Sequence, residues 1–167
     1  MGEAGVTLLL GLAGIALALV LLLRGPRTLG DPRAQLRAVR RARIEARPIL
    51  NRSELIRLAW LEAWARGRAC RVFAQVPYGE MMRTRDEAAF RSVNAKRADF
   101  LITDKGGYPL AAVEYQGEGH WEGDARARDR VKRAALQGAG IALVELFPDE
   151  DRKAALGKVE AALKGRL

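Results

Sequence analysis

Asp99 lies near the start of one apolar run, ADFLITD, and Glu114 near the end of the next, LAAVEYQ, with the turn-like KGGYP between them. Period-2 alternation along a strand puts Glu114 and Gln116 on one sheet face, and a hairpin brings Asp99 beside that face. Two carboxylates meeting at a sheet edge, with a backbone carbonyl between them, form a hard-oxygen site suited to Mg²⁺ or Mn²⁺. Such an ion lowers the pKa of a bound water and polarises a phosphate. His120 follows on the loop after GEG, and its imidazole can act as a base or bind phosphate. Arg128 and Lys132, four apart in the next helical segment, can bring positive charge to phosphate oxygens. A plainer reading makes Asp99 and Glu114 strand-end acids in salt bridges with Arg97 or Lys132, and His120 a surface-loop residue.

The elements that must position these groups follow from local pattern. Asn51 or Ser53 can cap a helix with Leu55, Leu58, Ala59, Leu61 and Ala65 at helical spacing, and Gly67 ends it. Trp60 and Trp64, four apart on that helix, are read as a packing edge rather than a base-stacking platform. CRVFAQV, from Cys70 to Val76, reads as the first strand, with Val72, Ala74 and Val76 on one face and Phe73 on the other. A polar connection with short helical stretches around Glu80 to Arg83 and Glu87 to Arg91 leads to the hairpin. A helix from Gly123 or Asp124 to about Gln137 precedes the apolar strand IALVELF, and Asp149 to Leu163 makes the last helix.

Charge and hydropathy divide the chain into three parts. The run VTLLLGLAGIALALVLLL, Val6 to Leu23, contains no charged residue; its 18 residues would reach about 27 Å as a helix, close to a bilayer core. It predicts an N-terminal transmembrane helix over residues 1–23. Arginines crowd only its C-terminal flank, so the positive-inside rule places the rest of the chain in the cytoplasm, tethered to the inner membrane. The net charge is +9, from 29 Lys and Arg against 20 Asp and Glu, and residues 24–47 hold eight arginines against Asp31 and Glu45. This basic neck suits an anionic leaflet, at roughly 1 kcal/mol per basic side chain. Residues 48–167 carry only a mild excess of positive charge and form the expected α/β domain. Cys70 is the sole cysteine, which excludes an internal disulfide and argues against a Cys-based zinc site.

With its acids on the second and third strands, RADFLITD and VEYQ, the chain resembles the PD-(D/E)XK nuclease superfamily. Its restriction-endonuclease-like core runs α-β-β-β-α-β, with an acid on the second strand and (D/E)-x-K on the third. Within that superfamily it is similar to an uncharacterised group of bacterial proteins, many membrane-anchored. The match runs through Leu50 to Glu54, Phe73 to Val76, Asp99 and Phe100, Asp104, Glu114, Gly117, His120, Asp129, Lys132, and Gly140 with Ile141. The resemblance implies Mg²⁺-dependent hydrolysis of DNA or RNA phosphodiesters, with the metal on Asp99 and Glu114. Gln116 would orient the attacking water, His120 would assist proton transfer, and Lys132 with Arg128 would meet the phosphate. Gln116 departs from the pattern, because the third-strand lysine stands there in the superfamily; in some members that lysine comes from the following helix, where Lys132 lies. Two other classes stay open: the same fold holding nucleic acid without turnover, and a membrane-associated scaffold using the tryptophans or the neck.

Overall fold

The computed structural model describes residues 31–117 and 123–167, with side chains from residue 129 onward in the second stretch. The chain divides into two units, Met1–Arg47 and Pro48–Leu167. In the first, Asp31 accepts a hydrogen bond from the Arg33 amide and Pro32 occupies the first turn of α1 (Pro32–Arg41), a helix with no buried residue.

The second unit begins with α2 (Arg52–Ala65), started by a reciprocal cap. The Asn51 side chain accepts from the Glu54 amide at 2.9 Å, and the Glu54 carboxylate accepts from the Asn51 amide at 2.7 Å. Then follow β1 (Cys70–Pro77), the short α3 (Tyr78–Met81), α4 (Glu87–Asn94), β2 (Arg97–Asp104), β3 (Pro109–Tyr115), α5 (Gly123–Gly138), β4 (Ala142–Leu146) and α6 (Arg152–Leu163). The strands form one mixed sheet in the order β1-β2-β3-β4. The first three pair antiparallel, and β4 joins parallel to β3 after α5, the kind of crossover that parallel neighbours require.

The sheet is covered on both faces. Phe100 and Ile102 pack with Ala111, Val113, Val144 and Leu146 against Leu61 and Trp64 of α2 and Ala155, Val159 and Leu163 of α6. Those α6 residues recur every four positions, a single helical stripe. Opposite, Leu136 of α5 packs with Tyr78, Ala98, Ala112 and Ile141, with Met81 and Met82 filling beside them. Trp64 is 5 % exposed, which makes the tryptophan edge a packing feature. On α2 the inward stripe keeps part of the expected one, with Leu61 buried and Leu58 and Ala65 packed against the same core. Arg57, Leu61 and Trp64 are buried, whereas Leu55 is 53 % exposed, so the helix is rotated to bring an arginine inside.

One expectation is corrected. The stretch Val6 to Leu23 lies outside the described residues, and among the described residues no helix is long and apolar enough to cross a membrane. The longest described helix, α5, has 16 residues and is rich in charge, short of the roughly 20 apolar residues a span needs. The reading of a single-pass inner-membrane protein with a transmembrane helix is therefore withdrawn. The fold is α/β, built on a four-stranded mixed sheet.

Candidate functional site

At this end of the hairpin the β2–β3 pairing reaches Phe100 opposite Val113. One step further on, the ladder gives way to a side chain: the Tyr115 amide donates to Asp99 Oδ2 at 2.8 Å. The hairpin thus opens where both acids stand, with Asp99 held against the backbone that carries Glu114. Across from Asp99, between the pairs Ala74–Phe100 and Val76–Ala98, Gln75 has φ +56°. A non-glycine residue in this left-handed region stores about 1 kcal/mol or more of strain.

Glu114 is 6 % exposed and is held at both oxygens. The Tyr78 hydroxyl donates to Oε1 at 3.2 Å, and Lys132 Nζ donates to Oε2 at 2.6 Å. Burial raises the Glu114 pKa, the Lys132 ammonium opposes that rise, and the nearby Asp99 charge adds to it. Tyr78, with no exposed surface, is also shifted up, first by burial and then by Glu114, Asp99 and Asp129. Its hydroxyl stays protonated and remains a donor to the carboxylate.

Parallel pairing sets Glu145 of β4 beside Glu114, and like charges side by side are unfavourable. Consecutive cations on α5 offset this. Lys132 takes Glu114, while Arg133 donates to Glu145 Oε2 at 2.9 Å. The Gln116 amide donates to Glu145 Oε1 at 3.1 Å. Together with Asp129, these side chains line a recess of about 10 Å³, room for roughly one water-sized ligand.

The structure therefore brings together Asp99, Glu114, Gln116 and Lys132. His120 and the side chain of Arg128 lie outside the described residues. Of the plainer pairings, Glu114–Lys132 is present. Tyr78, Arg133 and Glu145 escaped the sequence reading. Tyr78 follows a strand-ending proline and carries no motif, and Glu145 sits inside an otherwise apolar run whose only signal was one acid. Among the described residues no group of three or more His, Cys, Asp or Glu side chains could hold a metal ion. Mg²⁺ commonly uses only one or two carboxylates, completing its shell with water and phosphate oxygens. Asp99 and Glu114, near enough for the charge of one to shift the other, fit that donor set.

A family model described as "Protein of unknown function (DUF2726)" matches residues 46–162. An "Uncharacterized protein" from Haemophilus influenzae is 46 % identical over 79 residues, 47 % of this chain and 42 % of that protein. "Uncharacterized protein y4bI" from Sinorhizobium fredii is 42 % identical over 103 residues, 60 % of this chain and 75 % of that protein. The aligned part thus spans under half of the Haemophilus relative. No solved structure matches. None of these descriptions names a nuclease, DNA binding or magnesium, so those expectations draw no support from the comparisons.

Proposed function

This chain belongs to the DUF2726 family, and from its site we propose that it is a PD-(D/E)XK-like, metal-dependent phosphodiester hydrolase acting on nucleic acid. The observation that carries the reading is the Asp99–Glu114–Lys132 arrangement. Two acids from adjacent strands meet where the hairpin opens, and an ammonium from the following helix lies 2.6 Å from one of them. Asp99 and Glu114 would hold Mg²⁺ or Mn²⁺, which when bound lowers the pKa of a water and withdraws charge from a phosphate. Lys132 holds the Glu114 carboxylate and donates to a phosphate oxygen as negative charge grows there. Gln116, anchored by Glu145, orients the attacking water beside that carboxylate. His120 takes part in proton transfer, and Arg128 binds backbone phosphate.

A second reading, the same fold binding DNA or RNA without turnover, is favoured by one observation. The third-strand position carries the neutral Gln116 amide, engaged with Glu145, so it supplies no ammonium to the reacting phosphate. The test titrates Mg²⁺ and Mn²⁺ into the full chain and screens single-stranded, duplex and branched DNA and RNA for cleavage. Asp99→Asn and Glu114→Gln should each remove metal binding and cleavage while the domain stays folded. Metal binding and nucleic-acid affinity without cleavage would favour the second reading; absence of both would end both readings.

A further inference from the structure

On the core side of the sheet's end, next to Tyr115, an open cleft of about 610 Å³ is lined by Arg52, Ser53, Arg57, Tyr115, Gly117 and Pro148, among others. It shares no lining residue with the Glu114 recess, and among the described residues no acid borders it. Its central feature is Arg57, a charged residue only 8 % exposed. A guanidinium in that position has given up water and normally regains the loss through a carboxylate or other oxyanion.

Arg57 has no such partner among the described residues. One Nη donates to the Pro148 carbonyl at 3.3 Å, and the group lies 4.7 Å from the Trp60 ring centre and 4.8 Å from that of Tyr115. Stacking against two rings fixes the guanidinium plane. A single hydrogen bond leaves most of its five N–H donors unused. The first turn of α2 adds to the same cleft through Arg52 and Ser53. The Glu54 amide of that turn is taken by Asn51 Oδ1, which leaves the Arg52 and Ser53 amides, without partners inside the helix, to favour negative charge there. Glu54, whose carboxylate would oppose an anion, is turned onto the Asn51 amide.

We propose that this cleft is a binding site for a phosphate oxyanion, with the stacked Arg57 fork as its main contact and Arg52 and Ser53 at the helix start completing it. The cleft is large enough to admit a phosphate with its attached sugar. The donor geometry suits either a phosphodiester of a nucleic-acid strand or a phosphomonoester. The site goes beyond the hydrolytic reading and does not require it: the cleft and the Glu114 recess are lined by different residues, and the link between them is the Tyr115 backbone amide, which donates to Asp99.

The experiment measures binding of inorganic phosphate and of a short single-stranded oligonucleotide to the full chain, without divalent metal. The variants are Arg57→Gln and Gly117→Asp. A Cβ at Gly117 meets nothing within 4 Å, so the second variant sets a carboxylate at the cleft without disturbing packing, and it decides the matter if Arg57→Gln fails to fold. Both should weaken phosphate binding at least tenfold, while Lys105→Gln, which removes an exposed cation from the β2–β3 turn, leaves it within twofold. A matching loss of oligonucleotide affinity identifies a backbone phosphodiester as the ligand, and an unchanged oligonucleotide affinity identifies a phosphomonoester. Phosphate binding that is undetectable in the wild-type chain, or that persists unchanged in folded Gly117→Asp, overturns the proposal. Because no metal or cleavage enters the readout, this site and the hydrolytic one can fail separately.

Discussion

Lys132 Nζ on α5 lies 2.6 Å from Glu114 Oε2 on β3, and the carboxylate it holds is nearly buried while the lysine keeps 25 % of its side chain exposed. The pair is therefore asymmetric: the acid depends on the lysine, whereas the lysine can still reach water. This asymmetry gives opposite signs to the two single substitutions.

Glu114→Gln should keep or raise thermal stability at pH 7 without metal. Because burial outweighs its partners and raises the Glu114 pKa, the folded state binds the proton more tightly than the unfolded chain. Ionising Glu114 therefore costs stability, beginning near the ordinary value of 4.5 and complete once pH passes the raised folded value. The melting difference between variant and wild type should widen across that window and level off above it. A variant much less stable than wild type at pH 7 would show that the pair is a net structural bond.

Lys132→Met has the other sign. It leaves an ionised Glu114 buried beside Asp99, a loss of about 1–3 kcal/mol at pH 7, below the usual figure for a fully buried pair because Lys132 is partly solvated. The loss should shrink below pH 4.5, where the carboxylate is protonated in both states. Lys132→Arg should retain most of the stability. Denaturant melts at pH 4 and pH 7 check this, and equal destabilisation at both pH values would locate the effect in packing.

Tyr78→Phe removes the hydroxyl from Glu114 Oε1 and nothing else, since the residue is fully enclosed. A buried hydrogen bond to a charged group contributes about 1.5 kcal/mol. Because that bond lowers the Glu114 pKa, the carboxyl should titrate at higher pH in the variant. Carboxyl-carbon NMR reads the shift directly. An unmoved titration would mean that Tyr78 only packs.

Most of the scaffold was legible because its signals are local. Asn51 or Ser53 announces a capped helix, KGGYP a tight turn, and the apolar runs their strands. Asp99 and Glu114 could be paired from hairpin geometry alone. The rest depends on contacts distant in sequence. Tyr78 reaches Glu114 across 36 positions, and no periodicity encodes that. Arg57 was passed over because an arginine on a helix reads as a solvated residue. Its burial follows from Trp60 and Tyr115, whose rings accept the guanidinium only after α2 has docked on the sheet. Within the stripe that held Leu58, Leu61 and Ala65, Leu55 turns outward for the same reason, since propensity fixes a helix but not its rotation.

The departure at Gln116 supplies the most discriminating prediction. Its amide donates to Glu145 Oε1 at 3.1 Å, so a lysine at this position would find a carboxylate beside it and extend from the strand that carries Glu114. If the hydrolytic reading holds, the ammonium required near the phosphate is a matter of place rather than of sequence position. Lys132→Met should then lose cleavage by a hundredfold or more, and adding Gln116→Lys should restore part of it, at least tenfold over the single variant. Gln116→Lys alone should leave Mg²⁺ affinity within a few-fold, because Asp99 and Glu114 are untouched. Measuring kcat and metal affinity together separates the readings. Restored turnover with unchanged metal affinity assigns Lys132 to the phosphate. Recovery of stability without recovery of turnover would confine Lys132 to neutralising Glu114 and remove it from the proposed chemistry.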